Sequence, residues 1–81
     1  MFLEIITPDK KVFSGEITRV QVPGSKGSFE VLNNHAPIIS TLVKGKVKLT
    51  DKQGVQFIDI HAGVIEVLKN KIIILAESIT A

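Results

Sequence analysis

Apolar and polar residues alternate in short runs along this chain, and no run keeps a helical i, i+3, i+4, i+7 stripe beyond two turns. The pattern predicts an all-β protein. Phe2 to Ile6 reads as a first strand, closed by Thr7-Pro8-Asp9-Lys10, which suits a type I turn with proline at its second position. Lys11 to Phe13 reads as a short second strand. Gly15 is expected to break the chain before Glu16 to Val22, where Ile17 falls on one face and Val20 and Val22 on the other, a switch that points to a bulge or to burial on both sides. Further strands are expected at Ser28 to Leu32, Ile38 to Val43, Lys46 to Thr50, Val55 to His61, Val64 to Leu68 and Lys71 to Glu77, and Ser78 to Ala81 follow directly on the last. Short strands with turn signals roughly every 8 to 12 residues describe an antiparallel sandwich or barrel. Ile72 to Leu75 are apolar on both faces, so that strand is expected to be central or to meet another protein with its outer face.

Size makes this a single domain, residues 1–81, whose independent stability is expected to be marginal. With no cysteine, neither a disulfide framework nor a thiolate metal site is available. The N-terminus, Met1-Phe2-Leu3-Glu4, does not read as a signal or transit peptide. The longest apolar run, Ile72 to Ala76, is far below the roughly 20 residues a membrane-spanning helix needs, so any membrane link is expected to go through a partner. The net charge of +2 draws attention to Lys44, Lys46, Lys48 and Lys52. Alternation of these lysines with Val47 and Leu49 predicts the solvated face of a strand, and the lack of an arginine cluster and of interleaved aromatics argues against nucleic acid.

Catalytic chemistry is sparse. His35 and His61 are far apart and neither has a second ligand at metal spacing, so no metal site is expected. Asp59 and His61 share a strand face and are the only pair that suggests a small hydrolase. A lipoyl-like carrier or ligand-binding small barrel is the alternative, but a lipoyl domain commonly presents its lysine at a hairpin tip as Asp-Lys-Ala or Asp-Lys-Met, whereas Asp51-Lys52 is followed here by Gln53-Gly54; mass spectrometry for lipoylation or biotinylation of Lys52 decides it. Gly24-Ser25-Lys26-Gly27-Ser28 lacks the spacing, the ending and the following helix of a phosphate loop.

The densest information lies in Val22 to Ser40. Gly24 and Gly27 are free to take positive φ, Pro23 and Pro37 fix φ, Asn33 and Asn34 tolerate left-handed turns, and Pro37 biases Ala36 towards extended geometry, holding His35 at a loop-to-strand corner. Together with Phe13-Ser14-Gly15, Val20-Gln21-Val22, Gly45, Gly63-Val64-Ile65-Glu66-Val67 and Leu75-Ala76-Glu77, the Gly24-Ser25-Lys26-Gly27 loop and the His35-Ala36-Pro37 triplet resemble, in order, the epsilon subunit of F-type ATP synthases, called delta in mitochondria. The resemblance covers essentially the whole sequence.

That resemblance implies a ten-stranded β-sandwich of two five-stranded sheets, the N-terminal domain of the family, which binds the gamma subunit and the ring of c subunits at the foot of the central stalk. It implies a non-catalytic rotor subunit, without cofactor, that couples ion translocation to ATP synthesis and lies peripheral to the inner (plasma) membrane on its cytoplasmic side. The c-ring contact would be Gly24, Ser25, Lys26, Gly27, Ser28 and Glu30, and the gamma contact His35, Ala36, Pro37 and Ser40. Ser28 stands where some relatives carry an acid, and His61-Ala62-Gly63 where Ser-Gly-Gly is usual. Bacterial relatives generally continue into a helical hairpin that can inhibit hydrolysis and in some binds ATP; for these 81 residues neither ATP binding nor such inhibition is expected.

Overall fold

A computed structural model describes residues 1–77 and 79–80. Ten strands follow one another: β1 (Phe2–Ile6), β2 (Lys11–Glu16), β3 (Arg19–Gly24), β4 (Gly27–Leu32), β5 (Ile38–Leu42), β6 (Gly45–Asp51), β7 (Gly54–Ile60), β8 (Gly63–Leu68), β9 (Lys71–Ala76) and β10 (Ile79–Thr80). The all-β expectation holds, and most boundaries fall within a residue or two of those read from the alternation. The tenth strand pairs with β7 through Ile79↔Ile60 and Thr80↔Asp59, whereas Ser78 and Ala81 lie outside the described residues.

Hydrogen bonding corrects the expected arrangement. The strands form one ten-stranded sheet in the order β10-β7-β6-β3-β5-β8-β9-β1-β2, with β4 on β3, rather than two separate five-stranded sheets. Five strands lie on each side of one junction, the pair Gly24↔Leu42 between β3 and β5. β3 can serve both halves because its first residues, Arg19 to Gln21, pair with β6 and its last, Gly24, with β5. Nor is the sheet wholly antiparallel: β1 runs parallel to β9, from Phe2↔Lys71 to Ile6↔Leu75. Strands from opposite ends of the chain need no tight crossover between them, so parallel pairing meets no topological obstacle there.

Both halves contribute to a single buried cluster that contains Leu3, Ile5, Val20, Val22, Val47, Leu49, Ile65, Ile72 and Ile74, each 0 % exposed, and among the described residues no polar or charged side chain is buried. Alternation delivers these side chains inward, because β-strand residues two apart share a face. Gly15 does not break the chain as expected; it continues β2 opposite Leu3, and the break falls at Ile17 and Thr18, whose amides bond the carbonyls of Met1 (2.9 Å) and Thr50 (2.7 Å). The chain crosses there from one half to the other. Ile17 and Val20 therefore reach the same core from different sides, and no bulge is needed to explain their switch of parity. The register shift that does occur lies between Ile5 and Ile6. The turn after β1 is closed by the Thr7 hydroxyl, which accepts from Lys10 N–H at 3.2 Å, and by Thr7 N–H donating to the Lys10 carbonyl at 2.9 Å, in place of the main-chain closure of a type I turn.

Candidate partner-binding surfaces

Gly24 to Glu30 form the β3–β4 hairpin, in which Ser25 and Lys26 carry the turn and Gly24 pairs with Gly27. The two glycines serve different purposes. Gly27 has φ of 125° with open space around it, whereas Gly24 is buried, and a Cβ there would stand 2.6 Å from the Gly27 carbonyl and 2.8 Å from the Phe29 ring. Close approach, and not the expected positive φ, is what reserves Gly24 for glycine. The turn is fixed from the side: Ser25 N–H donates to the Thr41 carbonyl at 3.0 Å, the two hydroxyls lie 2.6 Å apart, and Val43 N–H donates to the Pro23 carbonyl at 2.9 Å. Ser25, Lys26, Gly27, Ser28 and Glu30 are exposed, so five of the six residues expected to meet a ring face solvent, with Gly24 packed behind them. Exposed Val43 and Lys44 stand beside the hairpin, a neighbourhood that linear sequence does not reveal.

His35, Ala36 and Pro37 occupy the other end of β4, about 17 to 20 Å from the hairpin tip for six residues of extended strand. His35 is half-buried; its N–H donates to the Leu32 carbonyl at 3.1 Å and its Nδ1 lies 2.7 Å from the Ala36 carbonyl. Asn34 takes the left-handed conformation (φ 63°) expected of it. Its N–H donates to Oδ1 of Asn70 at 2.8 Å, and Nδ2 of Asn70 donates to Oδ1 of Asn33 at 2.8 Å. Asn70 itself closes the two-residue β8–β9 turn with Lys69, at φ of 63° and 50°, the signs a type I′ hairpin requires. Sequence reading found the turn but not its bond to the corner, because nothing in the linear pattern joins Asn70 to Asn33 and Asn34.

Between these two loops lies an apolar surface. On the outward side of β5, β8, β9 and β1, register brings together Thr41, Val64, Leu75 and Ile6 in one row and Ile39, Glu66, Ile73 and Glu4 in the next. Ile39 is 72 % exposed, Leu75 54 % and Leu68 49 %, while Ile6 and Ile73 are half-buried. The two apolar faces of Ile72 to Leu75 therefore emerge as expected, with β9 both central in the sheet and outwardly apolar. Ser40 does not belong to this surface. It pairs with Ile65 on the inward parity of β5 and is half-buried at the seam between the halves, its hydroxyl bonded to the Thr41 carbonyl at 3.1 Å. A groove lined by Pro37, Ile39, Glu66 and Leu68 joins the His35 corner to the apolar rows.

Glu4, at the far side of this face, binds Lys11 at 2.8 Å and Lys71 at 3.6 Å. The hydrogen bond from Lys11 holds its carboxyl below the ordinary value of 4.5, aided by the charges of Lys11 and Lys71 and opposed by desolvation. A lowered folded-state pKa means that this contribution to stability is present above the unfolded value and lost as pH falls through the folded one. Chemical denaturation between pH 7 and pH 3 is therefore expected to show an acid loss that Glu4→Gln diminishes; equal pH slopes for both proteins would refute the contribution.

Elsewhere the chemistry stays sparse. Lys46 and Lys48 are exposed opposite buried Val47 and Leu49, as the solvated-face reading requires, although β6 is an interior strand and not an edge. Asp59 and His61 line a common groove with Lys44 and Lys46, but the Asp59 carboxylate is engaged by Lys46 at 3.0 Å. Lys52 does stand on the exposed β6–β7 turn, where Gln53 N–H bonds the Asp51 carboxylate at 2.8 Å. Among the described residues no group of three or more His, Cys, Asp and Glu could hold a metal, and no helix is long and apolar enough to cross a membrane.

The family model described as the ATP synthase delta/epsilon chain β-sandwich domain matches residues 1–81. The ATP synthase epsilon chain of Chlorobaculum tepidum is 45 % identical over 80 residues, which cover 96 % of this chain and 90 % of that protein. That of Desulfatibacillum aliphaticivorans is 42 % identical over 79 residues, 96 % of this chain but 56 % of that longer protein. The fold is shared with a chain in the structure of the Euglena gracilis mitochondrial ATP synthase, which contains OSCP, F1 and the c-ring: TM-score 0.89, 17 % identity, covering 96 % of this chain and 51 % of that one.

Proposed function

This chain belongs to the ATP synthase delta/epsilon family, and from that membership we propose that it is a non-catalytic subunit of the central stalk that links gamma to the c-ring and couples ion translocation to ATP synthesis. The observation that supports a partner most directly is the uncovered apolar face of β5, β8, β9 and β1. Ile39, Val64, Leu68 and Leu75 are exposed together on it, with Thr41 and Glu66 among them, and such a cluster of apolar side chains rimmed by polar ones is what an interface presents. Gamma covers this face together with the His35-Ala36-Pro37 corner, while the β3–β4 turn, through Ser25, Lys26, Gly27 and Ser28 with Glu30 behind them, meets the polar loops of the ring. The two contacts sit at opposite ends of one hairpin. A single rigid element thereby spans both partners, which is what transmission of torque without slip demands.

Residues 1–81 act in this reading as one domain, peripheral to the inner (plasma) membrane on its cytoplasmic side and attached to it only through the ring. A tagged form of the chain, expressed at native level and isolated from gently solubilised membranes, is expected to bring down gamma and the c subunits. Recovery without either would remove the assembly role. Modified Lys52 in that same sample, found by mass spectrometry, would favour a carrier instead.

A further inference from the structure

The 33–37 segment crosses from β4, in one half of the sheet, to β5, in the other, and two side-chain bonds of Asn70 pin that crossing, while its main chain ties the β8–β9 turn to β1. The main-chain carbonyl of Asn70 accepts from Phe2 N–H at 3.1 Å, its Oδ1 accepts from Asn34 N–H at 2.8 Å, and its Nδ2 donates to Asn33 Oδ1 at 2.8 Å. Both torsional exceptions involved, Asn34 and Asn70, lie at φ 63°. An asparagine carboxamide offers a donor and an acceptor in one plane, and here each is used by a different residue of the same loop. Packing does little to replace them: Asn33, Asn34, Ala36 and Pro37 are exposed and His35 alone is half-buried, so the loop owes its position chiefly to polar bonds.

From this geometry we infer that Asn70 is a positioning residue for partner binding: its carboxamide holds the His35-Ala36-Pro37 corner level with the apolar rows of β5, β8 and β9, making the two one preformed surface. The inference rests on gamma being the partner. Its physical basis is the cost of ordering. A corner already fixed in the free chain loses little freedom on association, whereas a released one must be ordered at the expense of affinity. The β8–β9 turn needs positive φ at Asn70, and glycine supplies that conformation while removing the carboxamide.

The experiment compares wild type with Asn70→Gly, Asn70→Asp and Asn33→Ala by amide hydrogen exchange in the free chain and by titration with purified gamma. Asn70→Gly is expected to speed exchange at Asn34 about tenfold and to weaken gamma binding about tenfold, with exchange in β8 and β9 unaltered. Asn70→Asp keeps an acceptor for Asn34 N–H and should retain most of the protection at that amide. Asn33→Ala, which leaves the turn untouched, should weaken gamma binding several-fold without a change in β8 or β9. Unaltered Asn34 exchange in Asn70→Gly would overturn the clasp. Faster exchange with undiminished gamma affinity in both Asn70→Gly and Asn33→Ala would overturn the positioning role alone. Wild type that keeps Asn34 protected yet does not bind gamma would overturn the choice of partner, and the positioning role with it.

Discussion

Saturation with gamma, at a hundredfold excess over its dissociation constant, is expected to raise the melting temperature of this chain by roughly 10 to 20 °C. A ligand that binds only the native state at that excess adds about 2.7 kcal/mol, and each kcal/mol moves the midpoint of a domain this small by about 4 to 8 °C. The surface responsible can be separated from the fold. Ile39 is 72 % exposed and makes no part of the core, so Ile39→Glu should cost the free chain no more than about 1 kcal/mol, most of it from the like charge of Glu66 directly opposite on β8. In the complex, by contrast, that carboxylate would be stripped of water against an apolar partner, and most of the thermal gain should vanish. Ser40→Lys probes the other side of the same strand, at the seam. If it abolishes the gain and Ile39→Glu does not, gamma sits on the seam and not on the outer face. No shift at all with saturating gamma would mean that the apolar rows answer to something else.

Gly24→Ala is expected to lower the melting temperature by roughly 4 to 24 °C, and Gly27→Val to cost less stability while impairing function more visibly. At Gly24 the added carbon would meet a carbonyl at 2.6 Å and an aromatic ring at 2.8 Å, so main chain and core must both move, an overpacking that costs about 1 to 3 kcal/mol. At Gly27 nothing lies in the way, but φ of 125° belongs to glycine, and a β-branched residue would pull the turn into another shape at a cost on the order of 1 to 3 kcal/mol, part of which relaxation at the surface recovers. In the assembled enzyme, Gly27→Val should lower ion-pumping efficiency more than ATP hydrolysis, since only the ring-facing turn has changed. A correctly assembled Gly27→Val complex that pumps at full efficiency would reduce the loop to a connector.

Local alternation carried most of the fold. Val47 and Leu49 inside with Lys46 and Lys48 outside, or Ile72 and Ile74 inside with Leu75 outside, follow from a period of two and need no tertiary knowledge. What alternation cannot carry is which strands become neighbours. The parallel union of β1 with β9, the sharing of β3 between β6 and β5, and the crossing at Ile17 and Thr18 depend on residues far apart in sequence. The same limit separates the loops. The turn-forming residues of the β3–β4 hairpin and of the His35 corner were legible from Gly, Pro and Asn, whereas the side-on bonds from Thr41 and Asn70 that fix them were not. Ser40 illustrates a subtler gap: adjacency to Ile39 in sequence says nothing of membership in its surface, because neighbours on a strand point in opposite directions.

The parallel pair of β1 and β9 has a bearing on how the protein is made. During synthesis the first strand leaves the ribosome long before its partner, and until Lys71 to Ala76 emerge, β1 has β2 on one side and a bare row of main-chain donors and acceptors on the other. Ile5, buried in the finished protein, spends that interval without its Ile74 neighbour. Closure of this half of the sheet is thus a late event of high contact order, slow by nature and open to wrong pairings with other nascent chains. For a cell, the hazard of the subunit lies in its birth, and arrival of the ninth strand ends it.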